Sequence, residues 1–260
     1  TSKVTITSNI TLYANWIGLD YTVTFDSQGG SDSSPTSKTV SYGQAYGTLP
    51  TPTKEGYGFG GWWTGEGGTG TQVIATTTVA LTANHTVYAK WLPLGPSGGY
   101  IFYDKGSYSD GWRYLEAAPS GWSGGSEDPR KVWGGYGTTV GGTGTAIGTG
   151  EGNTQKIVAK FGNVEPYEKK ADYAAKLCTD LVVTKDGVVY DDWFLPSKDE
   201  LNEMYQKLQR NNLGGFSGGN YWSSSEGGAV YYAWYQYFND GIQGPNYRYS
   251  GLRVRPVRAF

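Results

Sequence analysis

The chain is poor in the residues most enzymes rely on. Its 260 residues include one cysteine, one histidine and one methionine. A lone Cys178 excludes an internal disulfide and a cysteine-rich metal site. A lone His85 leaves the C-terminal part without a Ser-His-Asp triad or a histidine metal site of its own. Charged residues make up 17% and the net charge is −2, so there is no basic surplus for nucleic acid or an anionic membrane. No apolar run approaches the roughly 20 residues of a membrane span. No signal peptide is visible either. Glycine (41), tyrosine (22) and tryptophan (10) are abundant instead. High glycine with many aromatics and few charges argues for strands, turns and irregular loops rather than helix bundles.

The tyrosines concentrate near the C-terminus. Between Tyr221-Trp222-Ser223-Ser224-Ser225-Glu226 and Arg253-Val254-Arg255-Pro256-Val257-Arg258 stand Tyr231, Tyr232, Tyr235, Tyr237, Tyr247 and Tyr249. The segment contains no Lys and no Met. Tyrosine gives a large amphipathic contact area at the cost of two torsions, and Ser, Gly and Asn add adaptable hydrogen bonding. Such a composition suits a contact surface. The competing interpretation is packing tyrosines with wet hydroxyls.

The N-terminal part is repetitive. Val4-Thr5-Ile6-Thr7-Ser8-Asn9-Ile10-Thr11-Leu12-Tyr13-Ala14-Asn15-Trp16 returns, in register, as Val79-Ala80-Leu81-Thr82-Ala83-Asn84-His85-Thr86-Val87-Tyr88-Ala89-Lys90-Trp91. Residues 1–16 are therefore expected to be the end of a truncated upstream repeat, with the natural protein extending further upstream. Residues 17–91 form the complete unit. Tyr21-Thr22-Val23-Thr24-Phe25 alternates as a strand should, Gly29-Gly30 opens a loop, and Tyr57-Gly58-Phe59-Gly60-Gly61-Trp62-Trp63 supplies aromatic core. Pro93, Gly95, Pro96 and Gly98 mark residues 92–97 as a linker. The second domain is assigned to 98–260, with a variable region at about 227–252. Within it, Tyr100–Asp104 and Trp112–Ala117 read as paired strands. Asn153 or Thr154 is expected to cap a short helix, and Ala171, Ala174, Ala175 and Cys178 give a helical stripe over 167–181. Ser197-Lys198-Asp199-Glu200 has the form of a capping box.

Two resemblances follow from these strings. Residues 21–91, with a Gly-Gly loop, Gly-Tyr-x-Phe-x-Gly-Trp and Val-Tyr-Ala-Lys-Trp in order, resemble in large part the Listeria–Bacteroides repeat of internalin type. That family implies small β-rich, β-grasp-like modules on bacterial surface proteins. Gly98–Asp104, Gly111–Pro119, Trp193–Leu201, Tyr221–Glu226 and Arg253–Arg258 together resemble bacterial C-type lectin fold domains of the formylglycine-generating-enzyme type, and within these the variable proteins diversified by retroelements. The expected fold class is thus α+β: a C-terminal C-type lectin fold domain preceded by a small β-rich repeat domain. The resemblance implies a lipid-anchored or otherwise surface-bound adhesive protein. In such proteins a reverse transcriptase rewrites adenines in a C-terminal region that displays a ligand-binding surface.

Rewriting asparagine codons at their adenines reaches many amino acids but not Trp, Gln, Glu, Lys or Met. Between Gly227 and Leu252 only Trp234, Gln236 and Gln243 fall outside the reachable set, as fixed positions among variable ones would. If 231–239 is extended, Tyr232, Trp234, Gln236 and Phe238 share one face, taken as the core side. Tyr231, Tyr235 and Tyr237 then point outward with Ala233. The candidate ligand-binding residues are Val230, Tyr231, Tyr235, Tyr237, Asp240, Ile242, Pro245, Asn246, Tyr247 and Tyr249. The expected partner is a protein or other macromolecule of unknown identity. No nucleic acid is expected, no cofactor or metal, and no membrane contact except through an anchor outside the chain.

Catalysis finds little support. The lectin-fold oxidases use a cysteine pair, and Cys178 is alone. Asp191-Asp192 and Glu226 could form a carboxylate pair for glycoside hydrolysis, but a turn and an arginine partner explain them better. Gly65-Glu66-Gly67-Gly68-Thr69-Gly70 fits G-x-G-x-x-G only as a string, without the strand-to-helix context that gives it meaning. Gly244-Pro245-Asn246 lacks the carboxyl or amide that precedes proline in calcium-dependent sugar binders. Arg253, Arg255 and Arg258 are expected to pair with carboxylates and hold the C-terminal strand. The chain is read as a non-enzyme. The alternative to a diversified binder is a surface adhesin or spacer with one fixed ligand or none.

Overall fold

The computed structural model describes residues 18–260 together with Asn9, Thr11 and Tyr13. Apart from those three positions, the upstream repeat end expected over 1–16 lies outside the described residues. The chain divides into two compact units, the first holding residues up to Thr53 and Gly61–Lys90, the second Lys54–Gly60 and Trp91–Phe260.

The N-terminal sheet is built on β1 (Asp20–Asp26), β2 (Ser37–Ser41), β3 (Tyr57–Gly65), β4 (Thr69–Val73) and β5 (His85–Pro93). The sheet order is β2-β1-β5-β3-β4, with β1 and β5 parallel and the β1/β2 and β3/β4 pairs antiparallel. Alternation places Val23 and Phe25 of β1 inside. Phe25 packs on Trp62 with ring centroids 5.0 Å apart, and the Trp62 indole donates to the Pro50 carbonyl at 2.8 Å. Val40, Val73, Val79, Val87 and Ala89 complete the buried set.

In the second unit β6 (Ile101–Ser109) and β7 (Trp112–Ala117) pair antiparallel, as their sequences predict. They are followed by β8 (Arg130–Lys131), α1 (Gly150–Phe161), α2 (Ala174–Thr179), β9 (Val183–Lys185), β10 (Val188–Tyr190) and α3 (Lys198–Lys207). The chain ends in β11 (Asn220–Glu226), β12 (Tyr232–Tyr237), β13 (Gln243–Tyr247), β14 (Leu252–Arg253) and β15 (Val257–Ala259). Three sheets result: β13-β12-β11-β14-β8, β15-β7-β6 and β10-β9.

The five-stranded sheet separates two apolar cores. Tyr221 lies opposite Gln236, and Trp222 opposite Tyr235. Neighbouring strand residues face opposite ways. Tyr221 and Phe238 thus join one core with Leu201, Met204 and Val257, while Trp222 and Ala233 join the other with Trp133, Ile157, Cys178 and Val254.

The α+β expectation with a C-type lectin domain is not upheld. Among the described residues strand exceeds helix and is arranged in several small sheets, and the α-helices span only 12, 6 and 10 residues. The helix expected over 167–181 shrinks to Ala174–Thr179. Lys169 has a φ of 61°, outside the helical range, and the Tyr167 and Lys170 amides are taken by the Glu165 carboxylate. Asn153 and Thr154 do not cap α1. They are buried inside it, and Thr149 is the flanking residue. At α3 the capping box forms as expected: Ser197 Oγ accepts from the Glu200 amide, and Glu200 accepts from the Ser197 amide.

Candidate functional site

The β12–β13 hairpin carries most of the candidate residues. Its register pairs Tyr232 with Tyr247 at one end and Gln236 with Gln243 at the other. Four residue steps of strand separate these ends by roughly 14 Å.

At the Tyr247 end the rings gather into one cluster. Tyr247 and Tyr249 stack with centroids 5.2 Å apart and planes 9° from parallel. Tyr232 lies 4.8 Å from Tyr247. Tyr136 stands at the centre, 4.9 Å from Tyr231, 4.9 Å from Tyr167 and 5.1 Å from Tyr249. Hydrogen bonding to Tyr247 and then burial push the Tyr232 phenol above its ordinary value. Burial and the neighbouring phenols do the same for Tyr136. Both hydroxyls therefore stay neutral over the physiological range. Tyr231, Tyr247 and Tyr249 are 45%, 40% and 42% exposed, which leaves ring surface open to solvent.

Buried polar groups hold this cluster in place. Arg248 sits between Tyr247 and Tyr249 in sequence but points inward and is completely buried. Its guanidinium donates to Glu226 at 2.8 Å, to the Thr138 carbonyl at 2.8 Å and to the Tyr232 carbonyl at 3.1 Å, and lies 4.3 Å from the Trp133 ring centre. Glu226 also accepts from the Val140 and Gly141 amides at 2.8 and 2.7 Å. Burial pushes the Glu226 carboxyl up, but the Val140 amide, Arg248 and the Gly141 amide outweigh it and hold it below the usual range. Glu165 accepts from Gly135 and Tyr167 at 2.8 Å each, and from Lys170 at 3.2 Å. Here too burial opposes, and the amides prevail.

The other candidates are dispersed along the hairpin. Val230 is half-buried beside Glu226 and Arg248 in a small cavity of about 190 Å³. Tyr235 packs against the Trp222 core, and Tyr237 accepts from Asn239 at 2.8 Å. Asp240 and Ile242 occupy the far turn, with Ile242 exposed and its amide bonded to Asp240 at 2.9 Å. Pro245 is exposed opposite Trp234, and Asn246 lies half-buried opposite Ala233. The ten positions thus do not form a single site: Tyr231, Tyr247 and Tyr249 come together, while Tyr237, Asp240 and Ile242 stand at the other end.

The expected facing of β12 holds only in part. Gln236 and Phe238 are buried as predicted, but so is Ala233 on the face taken as outward. Tyr232 joins the exposed cluster, and Trp234 is half-buried beneath the Lys198 ammonium at 4.7 Å. A strand with a core on each side has no wet face in its middle, so simple alternation misplaces its ends. Sequence reasoning also missed Tyr136, Tyr167 and Tyr232. Tyr232 carried a signal, its place among the tyrosines. Tyr136 and Tyr167 lie far away in glycine-rich and charged segments and carried none.

The remaining chemistry is engaged in structure. His85 Nε2 and the Tyr46 hydroxyl are 2.7 Å apart. Arg253 pairs with Glu127 at 3.1 Å, Arg255 with Asp128 at 2.8 Å, and Arg258 with Asp192 at 2.7 Å and Glu116 at 3.3 Å, as the carboxylate-pairing expectation has it. Cys178 is fully buried, and burial pushes its thiol up. Gly65–Gly70 spans the β3–β4 turn.

Residues 21–90 match the Listeria-Bacteroides repeat domain. Two proteins of Evansella cellulosilytica are similar to part of the chain. One, named "Putative membrane protein", is 42% identical over 87 residues, 34% of this chain and 12% of that protein. The other, named "Putative Gly-rich membrane protein", is 41% identical over 91 residues, 35% of this chain and 10% of that protein. The matched part spans about a tenth of the length of these relatives. Among the described residues no helix is long and apolar enough to cross a membrane.

Proposed function

We propose that this chain belongs to a surface-associated bacterial protein whose C-terminal unit offers a diversified, tyrosine-rich surface to a macromolecular ligand. The Listeria-Bacteroides repeat and the naming of its relatives as membrane proteins support a surface location. The finer resemblance is to the retroelement-diversified variable proteins, among them Treponema variable protein A. The unit acts by binding and carries out no reaction.

One observation carries the diversified reading. The three residues of 227–252 that adenine rewriting cannot reach touch a common support. Trp234 lies under Lys198, Gln236 donates to Asn202 at 2.9 Å, and Gln243 donates to the Lys198 carbonyl at 2.9 Å and to Gln236 at 3.3 Å. All three fasten the hairpin to α3, while the reachable Tyr231, Tyr247 and Tyr249 stand exposed. A fixed hinge beside open, rewritable positions is the arrangement diversification requires.

Arg248 favours a second reading, a fixed adhesin or spacer. It is reachable by rewriting, yet its complete burial and three hydrogen-bonded partners leave little room for change. Sequencing the DNA beside the gene separates the two. A near-copy of codons 227–252 next to a reverse transcriptase, differing at adenines alone, is expected. Its absence from the complete genome would favour the fixed adhesin.

A further inference from the structure

Resting on the binding role proposed above, we infer that the surface has a constant half: Tyr136 and Tyr167, held by Glu165, form an unvarying aromatic platform for a folded protein partner.

Both tyrosines lie outside 227–252, so rewriting leaves them alone. Both are in the same ring cluster as Tyr231 and Tyr249. Tyr167 is 52% exposed. Glu165 bonds the amides of Gly135 and Tyr167 with one oxygen, so a single buried carboxylate fixes the two loops that carry the platform. Tyrosines held this way lose little freedom on binding, and affinity gains from such preorganisation.

The surroundings select the partner. The cluster itself is uncharged and aromatic. Tyr249 also lines a shallow cleft of about 370 Å³ with Arg130, Lys131, Lys170, Glu168 and Asp172. A tyrosine-rich, charge-poor centre beside a rim of mixed sign is the anatomy of a protein–protein interface. Glu168 and Asp172 stand among the three cations of this rim and Lys131 is bonded to Asp172, so the rim is of mixed sign and lacks the continuous basic track that a phosphate backbone favours. The charged lining of this cleft differs from the apolar enclosure of a small-molecule site.

The test displays the full chain with the ten candidate positions randomised and selects against one folded protein, hen egg-white lysozyme. In independent binders, Tyr136→Ala and Tyr167→Ala are each expected to weaken affinity at least about tenfold. Tyr136→Phe, which keeps the ring, and Tyr108→Ala, which removes an exposed tyrosine of β6, should leave it unchanged. Melting curves check folding, and Tyr136→Leu or Tyr167→Leu replaces the alanine variant at the same position if it unfolds. Binders that tolerate the loss of both rings would overturn the constant platform and leave the binding role standing. A library yielding no binders would overturn the binding role and this inference together.

Discussion

Arg248 and Tyr231 show how differently two residues of one segment act. The Arg248 guanidinium joins β11, the segment around Thr138 and β12 through its three partners. Removing it leaves Glu226 as a carboxylate without its cation. Arg248→Ala should cost about 3–5 kcal/mol, the usual penalty for breaking a buried pair, as measured by urea unfolding. Tyr231→Ala removes an exposed ring and should change stability by no more than about 0.5 kcal/mol. Equal losses for the two would mean that Tyr231 is a packing residue. The pairing of Arg253, Arg255 and Arg258 was legible because three arginines in a short terminal strand need counter-charges. Arg248 gave no such pattern, since nothing local marks it as inward-facing.

At the scale of elements, the hairpin and the loops beneath it are joined by carboxylates. Glu165 takes three amides and so ends any helix before residue 174. The alanine stripe was real, but it extends only as far as the backbone stays free to bond to itself. This clamp predicts a pH dependence. The Glu165 carboxyl is held below its ordinary value in the fold. Its stabilisation is therefore present above the unfolded value and is lost as pH falls through the folded one. Glu165→Gln should be less stable than the parent at neutral pH, and the gap should close in acid. A constant gap in urea midpoints across the range would show that charge on Glu165 does not matter. The β6–β7 pair and the α3 capping box were readable because both are local. The middle of β12 was not, because its second core is supplied by Trp133, Ile157 and Cys178 from elsewhere in the chain.

Across the whole molecule, a repeat module that matches a known family and a C-terminal unit with more strand than helix share one chain. The repeat was legible because two copies of one pattern lie in register in the sequence. The fold of the C-terminal unit was not, because its five scattered strings fix the order of landmarks but not how the sheets assemble. Its tyrosine surface draws on Tyr136, Tyr167 and the hairpin, a convergence that exists only in three dimensions. The central claim is that this surface varies while its supports stay fixed. Sequencing the gene from many isolates tests it most directly. Differences should gather at Tyr231, Tyr247, Tyr249 and the other open positions of 227–252, while Trp234, Gln236, Gln243, Tyr136 and Tyr167 stay constant. Differences scattered evenly along the chain, or a segment 227–252 identical in every isolate, would contradict it.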